Sequence, residues 1–405
     1  MSPAHRTAWL VVALLFPVAL LNYMDRQMLA TMKSSMATDI QGLGKDAQWG
    51  LVLASFKWVY AILSPVGGYI ADRFSRRHVI SISLFAWSVV TWMTAHVSSY
   101  EGLVTTRALM GISEAFYIPA ALALISDYHI GRTRSRAIGL HQTGIYFGLI
   151  LGGYAGFVAD DPSLGWRWAF NAAGLIGISY ALPLFILLKN PPKVQLATEI
   201  KQTPLATVSE LMGNRNFILL ILYFTLPAIA GWVIKDWMPV ILKNQFQLSQ
   251  GEAGKVAVLY VQIASITGAM VGGILADRWM HRTQRGRIYT SALGMLLFLP
   301  ALLGLGDPGT LTLAVSFLIL FGIGWGFFDC NNMPILSQIT RPEVRATGYG
   351  LMNLVSISCG GLGDWGFGLL RDQGVSLTTI FGCFTGVALL SLLVVLLIRP
   401  TENQP

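Results

Sequence analysis

Apolar runs of about twenty residues recur along this chain, separated by short breaks rich in charge, glycine or proline. Each run is long enough to cross a hydrocarbon layer of ~30 Å as an α-helix. Twelve spans are predicted, at 8–32, 47–71, 78–98, 102–127, 136–158, 168–189, 216–242, 252–276, 287–305, 310–338, 345–369 and 376–398. Between the sixth and seventh lies NPPKVQLATEIKQTPLATVSELMGNR (190–215), a polar, proline-bearing stretch that predicts a linker. The pattern predicts an all-α polytopic membrane protein: twelve transmembrane helices in two six-helix bundles, 1–189 and 216–405, joined by the linker 190–215.

Composition sharpens this picture. Hydrophobic residues make up 54% of the chain and charged residues 12%, against roughly 25% charged in soluble domains. A water-soluble fold is therefore excluded. The net charge of +8 might point to nucleic acid, but the arginines alternate with the spans. Arg73, Arg76, Arg77, Arg132, Arg134, Arg136, Arg278, Arg282, Arg285, Arg287, Arg341 and Arg345 fall on one side, against Lys45, Arg167, Lys243, Lys255 and Arg371 on the other. That asymmetry places both termini in the cytoplasm and leaves no nucleic-acid surface. Cys330, Cys359 and Cys383 all lie in apolar segments and offer neither a disulfide framework nor a metal site. The first span is too long for a signal-peptide core and has no small-residue cleavage site, so it is expected to be retained.

The two halves repeat in parallel. GGYIADRFSRR (67–77) returns as GGILADRWMHR (272–282), and SRAIG (135–139) returns as VRATG (344–348). The G-x-x-x-D-R-x-x-R-R element, its degenerate copy and the two-by-six layout resemble the major facilitator superfamily. Within it, NYMDRQ, RALMGISEAFYIPA, WMPVIL and RATGYGLMNL are similar to the anion:cation symporter family, which carries hexuronates, galactonate, other sugar acids and sialic acid. The resemblance implies a substrate site near the midplane and alternating access by rocking of the halves. It also implies that Asp72, Arg73, Arg76, Arg77, Asp277 and Arg278 form a cytoplasmic latch, although Ser75 stands where the pattern commonly has glycine. Charges placed there only to set topology are the alternative.

Charges inside the spans carry the chemistry. Asp25 and Arg26 are adjacent in span 1, so they diverge by about 100° and each needs a partner on another helix. Arg107 and Glu114 share a face of span 4, with Gly111 between them. Counting depth along the helices matches Asp25 to Arg107 and leaves Arg26 available to a substrate anion. Arg26, Lys57, Arg107 and Lys235 against Asp25, Glu114 and Asp236 suggest a cavity that attracts anions. Burial favours a neutral carboxyl and a nearby arginine favours the ionised one, so an anion that competes for the arginine promotes proton uptake. By resemblance, Asp25 and Glu114 handle protons, while Arg26 and Arg107 serve substrate or carboxyl pairing. A static Asp25–Arg107 bridge, a Glu114 that only packs its helix, and lysines that snorkel to the interface are the structural alternatives.

Further candidates are polar residues at intramembrane positions. Asn22 and Tyr23 flank the Asp-Arg pair; Gln142 and Tyr146 share a face of span 5, beside His141; Asn331, Asn332 and Asn353 interrupt spans 10 and 11, near Asp329 and Asp364. Trp58, Trp232, Trp237 and Trp325 are either platforms for a sugar face or members of an interfacial belt. Glycines 144, 148, 152 and 156 predict close helix packing, across the interface between halves.

The expected function is proton-coupled uptake of a small organic anion, most simply a hexuronate or aldonate. The protein is expected to be a monomer in the cell inner membrane, with no metal and no cofactor beyond the proton gradient. A proton-driven exporter, a sensor on the same scaffold and an intramembrane enzyme are the alternatives. An excess of intramembrane cations speaks against the first, the lack of an added cytoplasmic domain against the second, and the lack of a nucleophile–base pair against the third.

Overall fold

The computed structural model describes residues 3–129, 133–190, 204–341 and 344–400; of these, the side chains of 3–5, 68–69, 71–72, 135 and 204–205 are left undescribed. In chain order the helices are α1 (Pro3–Thr31), α2 (Lys33–Asp39), α3 (Asp46–Arg73), α4 (Arg76–Thr94), α5 (Tyr100–Glu114), α6 (Tyr117–Tyr128), α7 (Arg134–Asp160) and α8 (Gly165–Leu187). There follow α9 (Pro204–Gly213), α10 (Arg215–Phe246), α11 (Gln250–Met280), α12 (Gly286–Gly306), α13 (Leu311–Ile339), α14 (Arg345–Asp372) and α15 (Leu377–Leu397). Among the described residues, extended pairing is confined to a bridge between Gln41 and Ser99.

The predicted spans are recovered as helices, with three departures. Span 4 breaks at Ala115 and Phe116, between α5 and α6. Pro119 explains the break: it lacks the N–H that would bond Ala115, and its ring collides with that carbonyl. The freed end is packed instead, since a Cβ on Gly67 would meet the Ala115 carbonyl oxygen at 2.5 Å. The predicted linker contains the helix α9, and span 1 is followed by the short helix α2. Nine apolar stretches among the described residues are long and apolar enough to cross a membrane, with α5 and α6 counted as one. The other three predicted spans, α4, α7 and α14, are more polar: α4 opens on Arg76, Arg77 and His78, α7 carries His141 and Gln142, and α14 carries Asn353 and Asp364.

The chain forms two compact units. One holds residues 1–196 together with 236–258; the other holds 197–235 and 259–405. Residues 236–258 thus belong with the first unit, although they follow the linker in chain order. In the first unit the glycine stripe of α7 packs against α1: a Cβ on Gly144 would meet Phe16 O at 2.9 Å, and one on Gly148 would meet Leu20 O at 2.2 Å. The stripe therefore closes a helix pair inside one unit, and Gly156 continues it against the backbone of Gln250. In the second unit Gly268 and Gly326 bring α11 against α13, and Gly294 with Gly324 brings α12 against α13.

Backbone-to-backbone contact of this kind leaves no room for a methyl group. Gly148→Ala is expected to destabilise the protein by about 1–3 kcal/mol through overpacking. Gly139→Ala, in the same helix with no atom within 4 Å of its Cβ position, is the control. Melting in detergent should separate the two by several degrees; equal melting would show that α1 and α7 pack less tightly than described.

Candidate functional site

A cluster of four charges sits in the first unit, with Asp25, Arg107 and Glu114 buried and Arg26 half-buried. Asp25 and Arg26 come from α1, Arg107 and Glu114 from α5. Arg26 Nε donates to Glu114 Oε2 at 2.7 Å, and Nη2 lies 2.6 Å from the same oxygen. Glu114 is the last residue of α5 and is 0% exposed. The guanidinium of Arg26 is also ringed by aromatics, with the Tyr23, Phe56 and Tyr60 centroids at 4.8, 4.6 and 4.8 Å. Such contacts contribute about 0.5–2 kcal/mol each where water is excluded. Phe56 and Tyr60 are one turn apart on α3 and stack on each other at 5.6 Å.

Asp25 is held differently from the pairing that depth suggests. Its Oδ2 accepts a hydrogen bond of 2.6 Å from the hydroxyl of Thr91 on α4, with the Trp87 carbonyl at 3.0 Å as that hydroxyl's alternative acceptor. Arg107 acts on Asp25 and on Glu114 through space. Its guanidinium lies 5.2 Å from the Phe56 centroid, so two arginines share that ring. Arg107 is 2% exposed, and its Nε and Nη1 are buried with no hydrogen-bond partner, as are Asp25 Oδ1, Glu114 Oε1 and both amide atoms of Asn22. The roles of the two arginines are thus exchanged relative to the sequence expectation: Arg26 is paired, and Arg107 keeps donors to offer.

Thr91 escaped sequence reasoning because a threonine in an apolar helix ordinarily bonds its own backbone, as Thr94 does to Val90 here. It belongs to a stripe at four-residue spacing on α4. Trp87 packs edge-on against Tyr117, and Ser83 donates to the Ser113 carbonyl. Tyr117 opens α6 just past Glu114 and is fully buried, with its hydroxyl 2.8 Å from His141 Nε2. That ring nitrogen is therefore occupied by protein. Removing the Thr91 hydroxyl takes a hydrogen bond from a buried carboxylate, an effect of about 1.5–3 kcal/mol. Thr91→Val should lower the melting temperature, and Thr91→Ser should restore most of it; equal melting of Thr91→Val and wild type would remove Thr91 from the site.

The lysines divide. Lys57 on α3 forms an ion pair with Asp236 of α10, both within the first unit, and is 3% exposed. Its charge is already neutralised, which reduces the cation excess inferred from sequence. Lys235 belongs to the second unit, half-buried, with its ammonium 5.0 Å from the Trp232 centroid. Among the predicted polar contacts, Gln142, Tyr146 and Asn353 are half-buried. Asn331 turns back on its own helix, donating to Phe327 O at 3.0 Å, while Asn332 is 2% exposed and bonds to nothing.

At the predicted latch, Arg76 pairs with Asp127 of α6, a partner that sequence reasoning did not single out. The Arg77 backbone N–H donates to Asn190 at 3.1 Å, and its guanidinium lies 5.6 Å from the Phe185 ring. Arg73 is exposed at the end of α3, and Asp277 and Arg278 are exposed near the end of α11. The side chain of Asp72 lies outside the described residues.

The family model for the Major Facilitator Superfamily matches residues 15–363. The chain belongs to the major facilitator superfamily. It is a secondary transporter homologous to the spinster proteins. Protein spinster homolog 1 of Mus musculus is 32% identical over 400 residues, covering 92% of this chain and 74% of that protein. Protein spinster of Drosophila melanogaster is 26% identical over 384 residues, 90% of this chain, and the chain spans 62% of its length. Among solved structures, a bacterial homolog of the human lysosomal transporter Spinster, inward-facing and unoccupied, superposes with a TM-score of 0.77 at 20% identity, covering 98% of this chain and 95% of that one. A D-xylose-proton symporter gives 0.74 at 18% identity, covering 96% and 97%. These likenesses confirm the all-helical facilitator fold.

Proposed function

We propose that this transporter couples uptake of a small organic anion, a sugar acid such as a hexuronate or aldonate, to inward movement of a proton. One observation carries the reading: the quartet of Asp25, Arg26, Arg107 and Glu114 is electroneutral when fully ionised, and Arg107 in it retains unpartnered donors. An anion bound by Arg107 leaves the quartet with one net negative charge in a medium that penalises it. A proton taken up by Glu114 or Asp25 restores neutrality, so each ligand favours the other, by equal factors. Arg26 and the aromatic rings around it hold Glu114 in place while this happens.

The anion class rests on this charge pattern and on the motif resemblance to the anion:cation symporters; the spinster relatives carry no part of it. Lys235, Gln142, Tyr146 and Asn353 remain candidates for substrate contact, with Asn22 and Tyr23 beside the charged quartet. The chain-order halves 1–189 and 216–405 are the bodies that rock, with Arg76 and Arg77 at the cytoplasmic latch. Both termini face the cytoplasm of a cell whose inner membrane holds the protein as a monomer.

Uptake into proteoliposomes tests this, using sugar acids, monocarboxylates and neutral sugars with and without an inward proton gradient. At least one sugar acid should accumulate several-fold more with the gradient than without, and neutral sugars should not. Gradient-independent uptake of every anion tried would overturn the coupling.

A further inference from the structure

A second polar site stands in the second unit, apart from the quartet. Asp329 lies on α13 about 15 Å from the C-terminal end of that helix, well inside the membrane by rise per residue. It is nonetheless exposed. A carboxylate at this depth does not face lipid, because hydrocarbon penalises it by several kcal/mol. The packing of α13 gives the direction. Gly322 and Gly326 face α11, and Gly324 faces α12. Trp325, one turn before Asp329 on the same face, is turned to α10, where a Cβ on Gly231 would meet its ring at 2.1 Å. On α10 the next residue is Trp232, whose ring covers Gly360 of α14, and one turn after Gly231, as Asp329 is one turn after Trp325, comes Lys235, whose ammonium lies over Trp232. An exposed acid, an amine and two indoles therefore share the wall made by α10, α13 and α14.

We infer that Asp329 and Lys235, flanked by Trp325 and Trp232, form a subsite that reads the hydroxyl groups of a polyhydroxylated substrate. The mixed charge decides the ligand class. Lys235 repels an ammonium group and Asp329 repels a carboxylate, so neither ion is suited to the pair. A hydroxyl suits both, donating to the carboxylate and accepting from the amine. The indole faces suit the apolar C–H face of a sugar chain. This rests on the proposed transport of sugar acids and adds to it the residues that distinguish them from plain carboxylates.

The test is equilibrium binding to the purified full-length transporter in nanodiscs, with gluconate, hexanoate and 6-aminohexanoate as probes. Wild type should prefer gluconate to hexanoate, since a site built for hydroxyls rejects an analogue that lacks them. Asp329→Asn should cut that preference tenfold or more while hexanoate affinity stays within twofold. Lys235→Gln should cut it in the same direction, which covers the case where one variant misfolds. A preference unchanged in both variants, or an Asp329→Asn effect confined to 6-aminohexanoate, would overturn the subsite alone. Binding of none of the three acids would overturn the parent reading as well.

Discussion

Glu114→Gln is expected to give a transporter that exchanges its anion across the membrane but no longer accumulates it from a proton gradient. The amide keeps an oxygen to accept from Arg26 Nε, so the 2.7 Å contact survives in shape. It cannot take a proton. The quartet then carries a fixed net positive charge, and an incoming anion neutralises it without help. Anion affinity should therefore become independent of pH, gradient-driven accumulation should fall at least tenfold, and counterflow should stay within about threefold of wild type. Counterflow and accumulation measured on the same vesicles separate this from misfolding, which lowers both. Undiminished accumulation would assign the proton to another group. A stability result belongs with it: Arg26→Ala leaves Glu114 buried without its partner, at a cost of about 3–5 kcal/mol, whereas replacing both residues by apolar ones should recover most of that loss.

Arg107→Ala should have the larger effect on binding. Its Nε and Nη1 are buried donors with no partner, so they are available to a substrate carboxylate as charge-assisted hydrogen-bond donors. Removing such a charged contact costs about 2–5 kcal/mol, and each 1.4 kcal/mol is roughly tenfold. An affinity loss of about a hundredfold or more is expected. Arg107→Lys keeps the charge but loses the planar set of fixed donors, and should fall between wild type and Arg107→Ala. Direct binding of a labelled sugar acid at fixed pH measures all three proteins. An unchanged affinity in Arg107→Ala would place the anion elsewhere and leave Arg107 a structural charge shared with Asp25.

The sequence carried the layout and the identity of the charged residues, because helix length, repeat and depth are one-dimensional quantities. The pairing was less legible. Depth along a helix can be counted, but which face of α1 meets which face of α5 depends on packing, and the count joined Asp25 to Arg107 where the protein joins Arg26 to Glu114. Pro119 carried a signal for the break that begins at Ala115, four residues before it, although span 4 was read as continuous. Thr91 gave no signal, since its side chain is apolar enough to pass as part of a span. The Lys57–Asp236 pair was hidden for another reason: residues 236–258 pack with the first unit, against chain order. Asp329 was visible as an interruption of span 10, but only the packing of α13 on α10 gave it a direction.

The central claim is that one proton accompanies the anion because the quartet must stay neutral. Its most direct measurement uses proteoliposomes with a pH dye inside, equal pH on both sides and the membrane potential clamped. Adding the transported sugar acid outside should acidify the lumen in step with labelled uptake, and Glu114→Gln should take up label by equilibration without that acidification. Uptake by the wild type with no change in lumen pH, or full acidification by Glu114→Gln, would contradict the account.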